Sequence, residues 1–226
     1  MKKRALALIL CVAMIGVMTS CGGNKEEEAA KAQRTAWNSM TDQERMVEYN
    51  RITRECLHLW EELGRNTPYP AFWRNASMRV MIGNTVSEAV DYAQEAMIRT
   101  YAVYALAQQK GISDGPKDVE AYIQQNILDP FAEADNSGEL DAAAEEAGTT
   151  FEDSVWAYYD SYRWQYILSQ IPDYKGDEDL EQYEEAFKKT DSGKELEKVL
   201  DVCKEMFCEG EDDETRLKAA AIYFVE

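Results

Sequence analysis

The sequence holds a single histidine, His58, among its 226 residues. Any catalysis that needs two imidazoles is therefore excluded. Glu55 and His58 have the Glu-x-x-His spacing of carboxylate metal bundles, but those sites need a second copy of the motif and none is present. The expected role of that stretch is a solvated helix face. No G-x-S-x-G elbow accompanies the histidine, so no set of Ser, His and Asp can be assembled. The G-x-G-x-x-G and P-loop patterns are missing as well. The acidic run GEDDE lacks the alternating ligands and glycine of an EF-hand. The sequence thus predicts no catalytic residue, no metal site and no cofactor.

Positive charge is also scarce. Lysine and arginine number 24 against 43 aspartates and glutamates, a net charge of −19. Such a surface repels nucleic acid and anionic headgroups, so neither DNA nor RNA is an expected partner. Of the five cysteines, Cys11 and Cys21 lie near the N-terminus, leaving Cys56, Cys203 and Cys208. An odd count is no disulfide framework. On a continuous helix Cys203 and Cys208 point about 140° apart. They can pair only if the helix ends near Phe207, so two semi-buried thiols are expected, with one bridge as the lesser alternative.

Long apolar runs are missing except at the start. Lys2, Lys3 and Arg4 precede the run from Ala5 to Val17. As a helix that run covers only about 20 Å, short of a membrane's hydrocarbon core of about 30 Å. It reads as the h-region of a signal peptide. Met18, Thr19, Ser20 and Cys21 follow, and this resembles the lipobox of bacterial lipoproteins, with Met where Leu is usual. The resemblance implies a signal peptide over residues 1–20, removal of three positive charges, and a mature chain at −22 whose Cys21 carries diacylglycerol. Two acyl chains anchor stably where one is marginal. The expected location is the extracytoplasmic face of an envelope membrane. The polar stretch over residues 21–35 reads as a flexible tether, and residues 36–226 as one helical domain.

That domain is dominated by helical periodicity. Thr41 with Glu44 and Thr85 with Glu88 are capping boxes. The first opens the stripe Met46, Tyr49, Ile52, Cys56, Trp60 and Leu63, stopped by Gly64. The second opens Val86, Val90, Ala93, Met97, Tyr101 and Tyr104, stopped by Gly111. Between them NTPYPAFWRN reads as a loop whose aromatics pack onto the core. Ser113 or Asp114 is the expected N-cap of a third helix, with Pro116 in its first turn. Asp129-Pro130 disfavours an unbroken helix there. A short helix ends at Gly148, and Thr150 with Asp153 opens a long aromatic helix ending at Pro172. Two acidic amphipathic helices follow, and Leu217 to Val225 reads as a terminal strand. The expected fold is all-α, several amphipathic helices joined by short loops, with that strand as a possible addition.

Three features from Val86 to Gln170 then stand together: a helix ending AVYALAQQKGIS before a polar turn and DVEAYIQQ; an acidic loop and short helix ending EEAGTT; and the aromatic helix FEDSVWAYYDSYRWQYIL. In order and pattern this block resembles the N-terminal helical domain of the SurA and PrsA class of extracytoplasmic folding factors. The resemblance implies a module that binds unfolded or partly folded polypeptide clients. Many members add a parvulin-type prolyl isomerase domain. No such domain is expected here, so no enzyme activity is expected and no catalytic residue is carried across.

Aromatic and methionine-rich surfaces bind apolar segments with little sequence demand. The candidate client-binding residues are Met97, Tyr101, Trp156, Tyr159 and Trp164, with Tyr92, Met78 and Met81 beside them. The competing role for each is bundle core. Two other functions fit the same shell: a scaffold lipoprotein that holds one folded envelope partner, and a lipoprotein that binds a small molecule.

Overall fold

The structure, a computed structural model, describes residues 23–65, 67–172 and 174–209. Cys21 with the signal-like segment, and the stretch read as a terminal strand, lie outside the described residues. Those residues are all-helical and contain no strand. In chain order the helices are α1 (Gly23–Ser39), α2 (Asp42–Leu63), α3 (Tyr69–Met81), α4 (Val86–Lys110), α5 (Pro116–Ile123), a π-helical turn (Gln124–Leu128), α6 (Asp129–Ala132), α7 (Ser137–Glu146), α8 (Phe151–Trp156), α9 (Tyr159–Ser169), α10 (Asp177–Lys188) and α11 (Asp191–Glu209). None is long and apolar enough to cross a membrane.

The long helix α4 is the spine. It packs against α3, α9, α10 and α11, while α2 packs against α3, α7 and α8. Both capping boxes form: the Thr41 and Thr85 hydroxyls accept from the backbone N–H of Glu44 and Glu88, whose carboxylates accept in return from the N-cap N–H. Gly111 ends α4 in the left-handed region at φ 67°. The largest core joins α2, α3, α4 and α11 through Leu59, Phe72, Trp73, Val90, Met97 and Leu200. A second joins the end of α4 to α9 and α10 through Val103, Ile167 and Leu180. A third seats Val119 and Ile123 of α5 against Trp60, Val155 and Tyr159.

Four expectations are corrected. The segment NTPYPAFWRN is no loop: α3 starts at Tyr69 with Pro70 in its first turn. A proline there costs nothing, since its missing N–H would have no intrahelical partner. The aromatics do join the core, with Tyr69 and Phe72 at 0% and Trp73 at 1% exposure. The stretch read as a tether is helical from Gly23. Its Glu, Lys, Ala and Gln are strong helix formers despite their polarity, and Gln33 is buried, donating from Nε2 to the Met81 carbonyl at 3.2 Å. Arg34 donates to the Gly83 carbonyl at 2.6 Å. A side chain at Gly83 (φ 98°) would run into the backbone of Arg34, so this docking requires glycine. The N-cap of α5 is Gly115, not Ser113 or Asp114, because the Ser113 hydroxyl instead pairs with Asp118 in the first turn.

The fourth correction concerns the long aromatic helix, which breaks into α8 and α9 at Ala157 and Tyr158. The Ser161 N–H bonds the Tyr158 carbonyl at 2.9 Å, tightening the turn, and the Ala157 carbonyl accepts from Arg74 Nη1 at 2.8 Å. At Asp129-Pro130 the chain stays helical by widening one turn: the Asp129 N–H bonds back five residues to the Gln124 carbonyl, which shifts the ladder where Pro130 offers no donor. Helix α11 runs through both terminal cysteines to Glu209, leaving Cys203 buried and Cys208 exposed with no disulfide between them. Burial pushes the Cys203 thiol up to about 12, so it behaves as a core residue.

Candidate functional site

The break between α8 and α9 organises one face of the molecule. Arg74 of α3 is 4% exposed. Besides the Ala157 carbonyl it bonds Ser161 Oγ at 3.1 Å and lies over the Tyr158 ring at 4.2 Å. Tyr158 in turn stacks on Tyr49 of α2, centroids 5.9 Å apart and planes 5° from parallel. Beside it Asp160 is held among arginines. Burial pushes its carboxyl up to about 6, against the lowering pull of Arg74 and Arg163. Arg163 reaches Asp114 Oδ2 from Nε at 2.9 Å and from Nη2 at 2.6 Å, and covers the Tyr104 ring at 4.1 Å. The Tyr104 hydroxyl donates to the Asp160 carbonyl at 2.8 Å. This hub pins the start of α9 to α3, α4 and the α4–α5 turn.

Around the hub runs a groove made of three hollows with shared walls. The first, about 330 Å³, lies between α3, α4 and α9 and includes Arg74, Asn75, Tyr92, Asp160 and Trp164. The second, about 240 Å³, shares Arg74, Asn75 and Tyr92 with it and adds Trp37, Tyr49, Met78 and Arg79. The third, about 330 Å³, shares Trp37, Tyr49 and Tyr158 with the second and continues to Met46, Phe151 and Tyr162. Each hollow alone matches only the small end of ligand cavities, about 300 Å³. Neighbouring hollows share lining side chains, so the three follow one another along one face. Among the described residues Tyr49 and Tyr92 are the large hydrophobic side chains that stand most exposed, 42% each, and both line this groove. Exposed aromatic surface is costly to leave in water unless something covers it.

Arginines hold the aromatic walls in place. Arg79 sits 3.5 Å from the Tyr92 centroid and Arg45 lies 5.9 Å from that of Trp37. Contacts of this kind are worth about 0.5–1 kcal/mol where exposed. The lining combines Tyr, Trp, Met and Arg, side chains enriched at the centres of protein interfaces, with polar groups gathered in the first hollow, among them Glu95, Asp160 and Gln165. No three His, Cys, Asp or Glu side chains among the described residues come together to hold a metal ion. His58 is exposed, 3.8 Å from Glu61.

The five residues named from the sequence are dispersed. Trp164 lines the first hollow, and Met97 lies beneath it at 1% exposure, a core side chain. Tyr159 is sealed at 4%; it packs on Trp60 at 5.5 Å with Arg65 over its ring. Tyr101 is half-buried against Tyr104, 5.4 Å away, and burial raises its phenol so that it stays protonated. Trp156 is half-buried outside the groove, its indole N–H donating to Glu152 at 3.3 Å. Met97 and Tyr159 are core side chains, whereas Tyr101 and Trp156 keep partial exposure but line none of the three hollows; the turn at Ala157 puts Tyr158, not Tyr159, on the groove. Sequence reasoning missed Trp37, Tyr49, Tyr158, Arg74, Asn75 and Arg79 as groove residues. Tyr49 looked like core on its stripe, and Arg74 and Asn75 lay in a segment read as loop. The available signal was the mixture of Arg, Asn and Met at positions 74, 75, 78 and 79, on a helix whose opposite side is largely apolar. No family model, curated protein or solved structure matches this chain, so the reading of the groove rests on its own geometry.

Proposed function

We propose that this protein is a lipid-anchored, extracytoplasmic binder of unfolded or partly folded polypeptide that acts without catalysis. The observation that carries the reading is the row of adjoining hollows, in which Trp37, Tyr49, Tyr92, Tyr158 and Trp164 share one face with Met46 and Met78. Unfolded chains present apolar side chains at irregular spacing. A row of aromatic and methionine side chains receives them without demanding a fixed sequence. The acidic remainder of the surface then keeps a loaded complex soluble, since like charge opposes association. The lipobox-like Met18 to Cys21 supports the anchor, and the pattern from Val86 to Gln170 supports kinship with SurA- and PrsA-type helical modules.

The test is suppression of aggregation. The full-length chain at several-fold excess is expected to keep a reduced, unfolded model protein in solution. The double variant Tyr49→Ser with Tyr92→Ser is expected to lose most of that protection while folding normally. Wild-type protein that gives no protection at that excess contradicts the reading. For the anchor, mass spectrometry of the product made in a bacterial host is expected to show diacylglycerol on a chain beginning at Cys21, absent from Cys21→Ala. An unmodified Cys21 contradicts it.

A further inference from the structure

The middle hollow has a charge of its own. Its lining includes Arg74 and Arg79 and no carboxylate, on a chain whose net charge is −19. Arg74 is consumed by the Ala157 carbonyl, Ser161 and the Tyr158 ring. Arg79 is different. It is only half-buried, and among the described residues its guanidinium meets the Tyr92 ring and no carboxylate. One helical turn away Asn75, also half-buried, lines the same hollow, and its side-chain amide has no hydrogen-bond partner among the described residues. Most other arginines on the surface are neutralised: Arg45 by Asp42, Arg51 by Glu48 and Glu55, Arg65 by Glu120, and Arg99 by Glu184.

We infer that Arg79 and Asn75 form a subsite for an acidic side chain, Asp or Glu, borne in the middle of a bound polypeptide whose flanking apolar residues lie in the outer hollows. The inference rests on the peptide-binding reading above and names its preferred substrate class. Two arguments fix the chemistry. A guanidinium already seated on an aromatic face still offers its N–H edge, and that edge matches a carboxylate in geometry and charge. The groove also continues on both sides of this point, through the walls shared with the first and third hollows. A chain terminus would leave one side empty, whereas an internal Asp or Glu uses both. The nearest groove carboxylates, Glu95 and Asp160, line the first hollow and not this one, and charges farther off are screened over about 8 Å at physiological salt.

The test uses capped, fluorescein-labelled peptides and the full-length protein, read by fluorescence anisotropy. One peptide is Ser-Tyr-Ala-Phe-Glu-Phe-Ala-Tyr-Ser; its twins carry Gln or Lys at the centre. Wild-type protein is expected to bind the Glu peptide about fivefold tighter than the Gln peptide, the gain of one part-exposed ion pair, and the ratio should shrink as salt rises. Arg79→Gln is expected to bring the two to equality, and Arg79→Glu to prefer the Lys peptide, a reversal that misfolding cannot produce. Equal binding of the Glu and Gln peptides by wild-type protein overturns the acidic subsite and leaves the groove's peptide binding intact. Failure of all three peptides to bind overturns the peptide-binding reading and the subsite with it.

Discussion

Helix α3 stands between two sets of aromatic side chains, and the contrast separates structure from function. On one side Phe72, Trp73 and Ala76 are sealed, and Phe72 meets Phe207 of α11 edge-on at 6.4 Å. On the other, Asn75, Met78 and Arg79 face the groove, with Tyr92 and Tyr49 standing half in water. The aromatics of the first side are held by neighbours on every flank. Those of the second are held mainly by stacking and by arginines, which fix their direction and leave a face open. Residue type alone therefore says little about role; what matters is whether the far side of the ring has a partner.

The sharpest way to break the comparison is to cut each side in turn. Trp73→Ala removes a fully buried indole and is expected to cost about 3–5 kcal/mol in a urea melt. A cost below about 1 kcal/mol contradicts the packing described for that core. Gly193→Ala is next. An added Cβ would meet the Phe187 carbonyl oxygen, so the tight α10–α11 turn must shift. The expected loss is about 1–3 kcal/mol, with peptide affinity unchanged in the folded fraction, since neither helix lines the groove.

Asp160 links the two sides and brings a pH dependence. Its carboxyl lies above its ordinary value of 3.8, at about 6. Between those values the folded chain holds more protons than the unfolded chain, so this group's contribution to stability falls as pH rises through the window. Asp160→Asn is expected to flatten that fall and to raise stability near neutral pH by about 1–2 kcal/mol, read from melts on either side of the window. An unchanged pH slope contradicts the role given to burial. The smallest stability effect is expected from Tyr49→Ser with Tyr92→Ser, about 0.5–1 kcal/mol for partly exposed rings. That same pair is expected to lower affinity for an apolar peptide at least tenfold, about 1.4 kcal/mol. The mismatch between the two numbers distinguishes a binding surface from a core.

The all-helical class was legible because capping boxes and apolar stripes act locally. Thr41, Thr85 and Thr150 each start a helix where the spacing predicts, and Gly64, Gly111 and Gly148 stop one. Long-range choices were not legible. Pro68 and Pro70 signal an interruption equally well as a loop or as a helix start, and only the burial of Tyr69 and Phe72 decides. The turn at Ala157 depends on Arg74, more than eighty residues away in sequence, and it exchanges the faces of Tyr158 and Tyr159. A pattern read along one helix carries no trace of that. Of the five residues named for client binding, Trp164 and, beneath it, Met97 line the groove.

The central claim is that foreign polypeptide lies along the face bearing Tyr49 and Tyr92. The most direct measurement is site-specific photo-crosslinking, with a photoreactive side chain placed in turn at Tyr49, at Tyr92 and at Lys198, an exposed position on α11 outside the groove. With a reduced, unfolded client, strong crosslinks are expected from the first two positions and background from the third. Equal crosslinking from all three, or none from the groove, would contradict the account.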